Sequence, residues 1–338
     1  MSVTNTPSQG EHAAGVTQGA AQDSIGSVVS LSDGYRLTYK TLRWLVVALA
    51  ALLFTVTTAT TLLTGEWPTS ISAYYGGTVR DVFVGALFSI AACLVAYRGA
   101  NPLEDFALNA AGFYAIFVAL IPTNLLDILA DLRANTAVDK VTAKEYIVFL
   151  RVSVAVVLVL CLILAWREVQ ISRRLGALWT SGKWSQRFTV AFTVVLAAFL
   201  VLAAFQLYLV SADQLTMSGL QLGGLKLRVH DLAAILLIIS LAAAVWSRGW
   251  PDKAPQWNSQ GPLEAAGAVV QNGYRIVFIL MTLGAIGVVL VAGAWLHSHH
   301  TVAILEWWEI ALFVAFWLLA IKQESDGAAD TVTATASA

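Results

Sequence analysis

The run Pro68-Thr-Ser-Ile-Ser-Ala-Tyr-Tyr-Gly-Gly-Thr-Val-Arg-Asp81 sets hydroxyls at Ser70 and Ser72, phenols at Tyr74 and Tyr75, and opposite charges at Arg80 and Asp81 between stretches of continuous hydrocarbon. Hydroxyls and phenols both donate and accept hydrogen bonds, and an Arg beside an Asp supplies fixed charge of either sign. This is chemistry for holding a small polar ligand or a lipid headgroup. Residues of the same kinds recur at the ends of later apolar segments: Thr123 and Asp127, then His230 and Asp231, then Glu306 and Glu309. Ionisable groups inside membrane segments usually face the bundle interior and mark a functional path. Each residue also has a plainer reading. Arg80 and Asp81 can form a structural ion pair at the interface, Ser70 and Ser72 can cap backbone groups, and His230 can be a hydrogen-bonded interface residue.

A second chemistry is open to the histidines. Three of His230, His297, His299 and His300, with Asp231 or Glu306, would supply the donor set of a catalytic zinc that lowers the pKa of a bound water. The chain resembles only distantly the seven-helix membrane hydrolases that include the alkaline ceramidases. Their histidine spacing is not reproduced, and His297-Ser-His-His300 falls in a turn, where it can simply be solvated. Zinc is the one cofactor implied, and only under this alternative. No catalytic motif identifies a reaction, so a non-enzymatic role leads. The run Gly176-Ala-Leu-Trp-Thr-Ser-Gly-Lys-Trp184 lacks the glycine spacing of a phosphate loop and the Ser or Thr after its lysine. Cys93 and Cys161, each within an apolar segment, read as small core residues.

The elements that position these groups follow from composition. At 58% hydrophobic and 12% charged residues, with positive mean hydropathy, the chain reads as an all-α, polytopic transmembrane bundle whose main partner is the lipid bilayer. A net charge of −1 argues against a nucleic-acid surface. Segments long enough to cross roughly 30 Å of hydrocarbon run over 44–63, 82–97, 106–121, 146–166, 188–210, 227–246, 276–295 and 302–321, about eight helices in all. Residues 1–33 and 325–338 read as disordered tails and 34–324 as the membrane domain. There is no apolar stretch for a cleavable signal, so the first apolar segment is expected to be an uncleaved anchor.

With the amino terminus inside, the cytoplasmic connections hold about twice as many Lys and Arg as the outer ones, which predicts a cell-membrane protein with both termini cytoplasmic. The basic connection 167–187 is a topology determinant, or lies on an anionic leaflet. This topology brings the whole polar set to the outer side. The second and third helices, about 16 residues or roughly 24 Å, would stop short there and leave an outward-facing polar dent, with Arg80 facing Asp81, Asp127, Asp231, Glu306 or Glu309. Gly85 with Ser89, Ala107 with Ala111, and Gly284, Gly287 and Gly293 are expected to pack helices closely. The oligomeric state is open, and a structural or accessory role in which the polar residues serve only packing is the third alternative.

The blocks Ser70-Ile-Ser-Ala-Tyr-Tyr75, Arg80-Asp-Val-Phe-Val-Gly85, Tyr97-Arg-Gly99, Asn109-Ala-Ala-Gly112 and Ile121-Pro-Thr123 resemble a group of bacterial, largely actinobacterial, multi-pass membrane proteins. The resemblance resumes at His230-Asp-Leu-Ala-Ala234, Asn272-Gly-Tyr-Arg275 and Glu306-Trp-Trp-Glu309, and it implies a fold but no activity. It is weakest over 146–210, which reads as an inserted helix pair.

Overall fold

The computed structural model describes residues 11–76, 79–134, 142–172, 183–209, 220–222, 225–251, 253–254, 267–295 and 299–336. Helices fall on all eight apolar segments: α1 (Glu11–Thr64), α2 (Arg80–Ala96), α3 (Pro102–Leu120), α4 (Leu125–Ala134), α5 (Ala143–Ser172), α6 (Lys183–Leu209), α7 (Val229–Gly249), α8 (Ala268–Ile279), α9 (Ala285–Val288) and α10 (Thr301–Ala336). Two short strands, β1 (Leu220–Leu222) and β2 (Leu225–Leu227), form an antiparallel hairpin before α7. Among the described residues six helical stretches are long and apolar enough to cross a membrane. The 17-residue α2 is shorter.

The surface is that of a protein immersed in lipid. On α5, Val148, Val152, Val156 and Val159 are each more than half exposed, at 53%, 54%, 51% and 55%. Water would not tolerate such a continuous apolar face, whereas hydrocarbon does. The interior holds α3 and α7, packed along their length against each other, with α1, α2, α8 and α10 around them. Helices α5 and α6 sit at the edge, α5 against α3 and α4 and α6 against α7. The α6 seam is aromatic: Phe199 meets Tyr114 and Phe117 of α3 edge-on at 5.2 and 5.0 Å.

Several expectations change. The stretches read as tails are helical from Glu11 and as far as Ala336. Each continues a nucleated helix through residues that include no proline, the residue most costly inside a helix. The third helix is not short. It begins at Pro102, where the Asn101 side chain accepts the Glu104 N–H at 2.9 Å and proline fills a position whose N–H would be orphaned. After Leu120 the chain breaks and resumes as α4, so that no dent arises from a missing turn.

The close helix approach also lies elsewhere than Gly85 and Ser89, both of which are exposed. Gly112 supplies it: a Cβ there would lie 2.9 Å from the Ala91 carbonyl oxygen and 2.9 Å from Val95 of α2. Ala107 and Ala111 are buried, as expected of packing residues. Gly284 lies against the Trp308 indole, and Gly287 meets nothing within 4 Å. Here the helix that begins as α8 changes register, with π-helical turns over Leu280–Gly284 and Val289–Trp295. The Leu280 carbonyl accepts the Trp308 indole N–H at 3.1 Å.

Candidate functional site

Among the described residues, polar side chains gather inside the bundle in two places, one at each end. At the first, Ile71–Gly76 forms a short 3₁₀ segment packed against α2 and α10. Ser70 and Ser72 are buried and bond each other through their hydroxyls. The Glu306 carboxylate accepts the Ser70 hydroxyl at 3.1 Å and the Ile71 N–H at 2.5 Å. Ser72 also meets the Thr123 hydroxyl at 2.6 Å, and Tyr74 meets the Thr61 hydroxyl at 2.6 Å. One turn along α10 from Glu306, the Glu309 side chain is buried with neither carboxylate oxygen hydrogen-bonded among the described residues.

The break after α3 is what brings Thr123 here. Irregular backbone inside a membrane bundle must find its partners within the protein, and it does so from the head of α7. His230 Nδ1–H donates to the Ile121 carbonyl at 2.6 Å, and Arg228 donates to the Thr123 carbonyl at 2.8 Å. The first N–H of α7, at Val229, donates to the Gln206 side chain of α6 at 2.8 Å.

Of the residues anticipated from the sequence, Ser70, Ser72, Tyr74, Thr123 and Glu306 therefore come together, and His230 braces them from behind. Asp231 is half-buried beside them. Arg80, Asp81 and Asp127 are exposed, so the charged pair that marks the start of α2 lies on the surface rather than in the interior. The Tyr75 side chain is outside the described residues, as is His297. His300 donates from Nδ1 to the Pro68 carbonyl at 2.9 Å, and His299 is exposed. Among the described residues no group of three or more His, Cys, Asp or Glu is placed to hold a metal. Of the histidines of the zinc alternative, His230 and His300 each have Nδ1 engaged by a backbone carbonyl.

The second cluster was not anticipated. Arg248, in the last turn of α7, pairs with Glu104 in the first turn of α3 at 2.8 Å, with side chains 6% and 0% exposed. Its Nε donates to Glu104 at 2.9 Å, Nη1 to the Tyr274 hydroxyl at 3.0 Å and to Gln323 at 3.2 Å, and Nη2 to the Tyr97 hydroxyl at 3.0 Å. Every guanidinium nitrogen is engaged. The second Glu104 oxygen accepts the Ala100 N–H at 2.8 Å. Arg43 of α1 donates to the same Tyr97 hydroxyl at 3.0 Å and pairs with Glu324 of α10. Five helices, α1, α3, α7, α8 and α10, and Tyr97, the residue after α2, are thus tied at one end. Arg248 and Arg43 read in the sequence as charges of the connections because hydropathy ends an apolar segment at its first cation. The available signal was the order Asn101-Pro102-Leu103-Glu104-Asp105, a capped helix start that places acids within the fold.

No protein-family model, curated protein or solved structure matches the chain. The reading of function therefore rests on the two clusters.

Proposed function

We propose that the chain is a multi-pass protein of the cell membrane, with both termini in the cytoplasm, whose Ser70–Glu306 end faces outward and binds or passes a small polar ligand or lipid headgroup. One observation carries this reading. A chain of hydroxyls from two separate segments, Thr123 to Ser72 to Ser70, ends on a carboxylate, Glu306, inside the bundle. Packing alone would not require it, because a leucine in place of Glu306 with small apolar partners would bury the same volume at no desolvation cost. The resemblance to bacterial multi-pass proteins is in keeping with this, since the blocks around Ser70, Ile121, His230 and Glu306 supply the converging residues.

The test is water access. Single cysteines at Ser72, Thr123 and His299, in a Cys93→Ala, Cys161→Ala background, are labelled in intact cells with an impermeant thiol reagent. The expected result is rapid labelling at the exposed His299 position and slower but complete labelling at Ser72 and Thr123. Labelling at His299 alone would mean that the interior cluster never opens, and would leave the packing role in its place. Labelling only after membrane permeabilisation would reverse the topology.

A further inference from the structure

We infer that Glu309 is a proton-binding carboxyl of the bundle interior. Its residue is 6% exposed, and neither carboxylate oxygen has a hydrogen-bond partner among the described residues. An ionised carboxylate that no cation or donor side chain reaches is far more costly in such a place than a neutral acid, which leaves at most one donor and one acceptor unmet. Glu306, three residues away, is satisfied by the Ile71 N–H and the Ser70 hydroxyl. The contrast between the two acids is the argument. The same helix face continues beyond Glu309 through Phe313, Phe316 and Trp317, all buried, so a proton on Glu309 exchanges with water by way of the Glu306 end. The step is a plain transfer: an O–H bond forms on Glu309 as one breaks in hydronium, water leaves, and no electrons move.

The ionisable groups on the elements packed against this part of α10 are few. Tyr74 belongs to the 3₁₀ turn and Arg228, His230 and Asp231 to the head of α7, with Asp231 acting on Glu306 through its charge. The α1 stretch 53–64 and the π-register stretch 280–295 contribute none. The Arg228 guanidinium donates to the Thr123 carbonyl, and among the described residues no cation donates to either Glu309 oxygen. The inference deepens the reading of the Glu306 end and rests on it for the route to water.

Infrared spectra of the full-length protein in lipid nanodiscs, in sodium-free buffer at neutral pH, test it directly. The expected result is a protonated-carboxyl stretch that shifts in deuterium oxide, is lost in Glu309→Gln, and persists in Glu306→Gln. In Glu309→Asp, which keeps an acid, the band moves rather than vanishes. Identical bands in the parent and Glu309→Gln proteins would overturn the assignment. So would a band that disappears when sodium is added at constant pH, since Glu309 would then hold a metal cation. Failure here with cysteine labelling intact removes the proton and keeps the pocket. A band with no labelling does the reverse.

Discussion

Replacing Glu104 tests whether the Arg248 cluster holds the bundle together. Glu104→Ala removes the ion pair at 2.8 Å and the Nε bond at 2.9 Å, and leaves the guanidinium with Tyr274, Gln323 and Tyr97. Because the pair is buried, removing one partner strands a charge, which costs about 3–5 kcal/mol. Arg248→Met strands Glu104 with only the Ala100 N–H and frees the Tyr97 and Tyr274 hydroxyls from their shared donor, so it belongs at the upper end of that range. The double replacement Glu104→Leu, Arg248→Met removes both charges and substitutes packed hydrocarbon. It is expected to cost less than the sum of the two single changes, by a coupling energy of about 3 kcal/mol, the upper part of the range for residues in one network. Equilibrium unfolding in mixed micelles, following tryptophan fluorescence, supplies the four free energies. Single changes that cost below about 1 kcal/mol and add independently would refute the reasoning, because they would mean that water reaches the pair and screens it.

Three further outcomes follow from particular contacts. Glu306→Ala leaves the Ser70 hydroxyl and the Ile71 N–H without an acceptor, at about 1–3 kcal/mol for each buried group, whereas Glu306→Gln retains one acceptor oxygen and costs less; the same unfolding assay ranks them. Gly112→Ala forces a Cβ to within 2.9 Å of the Ala91 carbonyl oxygen and is expected to destabilise by about 1–3 kcal/mol, while Gly85→Ala, with nothing within 4 Å, stabilises by about 0.5–1 kcal/mol through helix propensity. His230→Leu leaves the Ile121 carbonyl unpaired at a buried chain break, at about 1–3 kcal/mol, and should raise amide exchange at 121–124 without changing that of α10.

How much of this was legible depended on what each feature rests on. The eight apolar segments are a property of composition over windows, and the helices follow them. Ser70, Ser72, Thr123 and Glu306 stood out because polar residues next to long hydrocarbon runs need a reason, and the reason is their mutual bonding. Arg80 and Asp81 stood out equally, yet they are exposed: the sequence marks a charge at a helix start but not which side of the helix it occupies. Arg248 was hidden for the converse reason. A cation at the end of an apolar run is the ordinary signature of a membrane interface, and only the fold, which draws Tyr97, Glu104, Tyr274 and Gln323 to one point, makes it an interior group.

The two clusters differ in what it would take to open them, and that difference carries a last prediction. At the Arg248 end, the polar contacts join regular helices, so loosening it means moving α1, α3, α7, α8 and α10 together. At the Glu306 end, most of the contacts converge on one 3₁₀ turn, a geometry with weak internal hydrogen bonds. The turn is held by Ile71 N–H to Glu306, Ser72 to Thr123 and Tyr74 to Thr61, while the segment before it is held by Ala303 N–H to the Thr69 carbonyl at 3.1 Å and His300 to the Pro68 carbonyl. Local opening there requires a handful of side-chain bonds to break and no helix to unwind, so it should lie at the low-stability end of the molecule. Hydrogen–deuterium exchange in nanodiscs should therefore find the amides of 71–74 exchanging well ahead of those in the last turn of α7 and the first turn of α3. Glu306→Ala should speed the first group and leave the others unchanged. Equal protection at the two ends would mean that the turn is as fixed as the helices, and a bundle closed at both ends could neither admit a ligand to Glu306 nor pass a proton to Glu309.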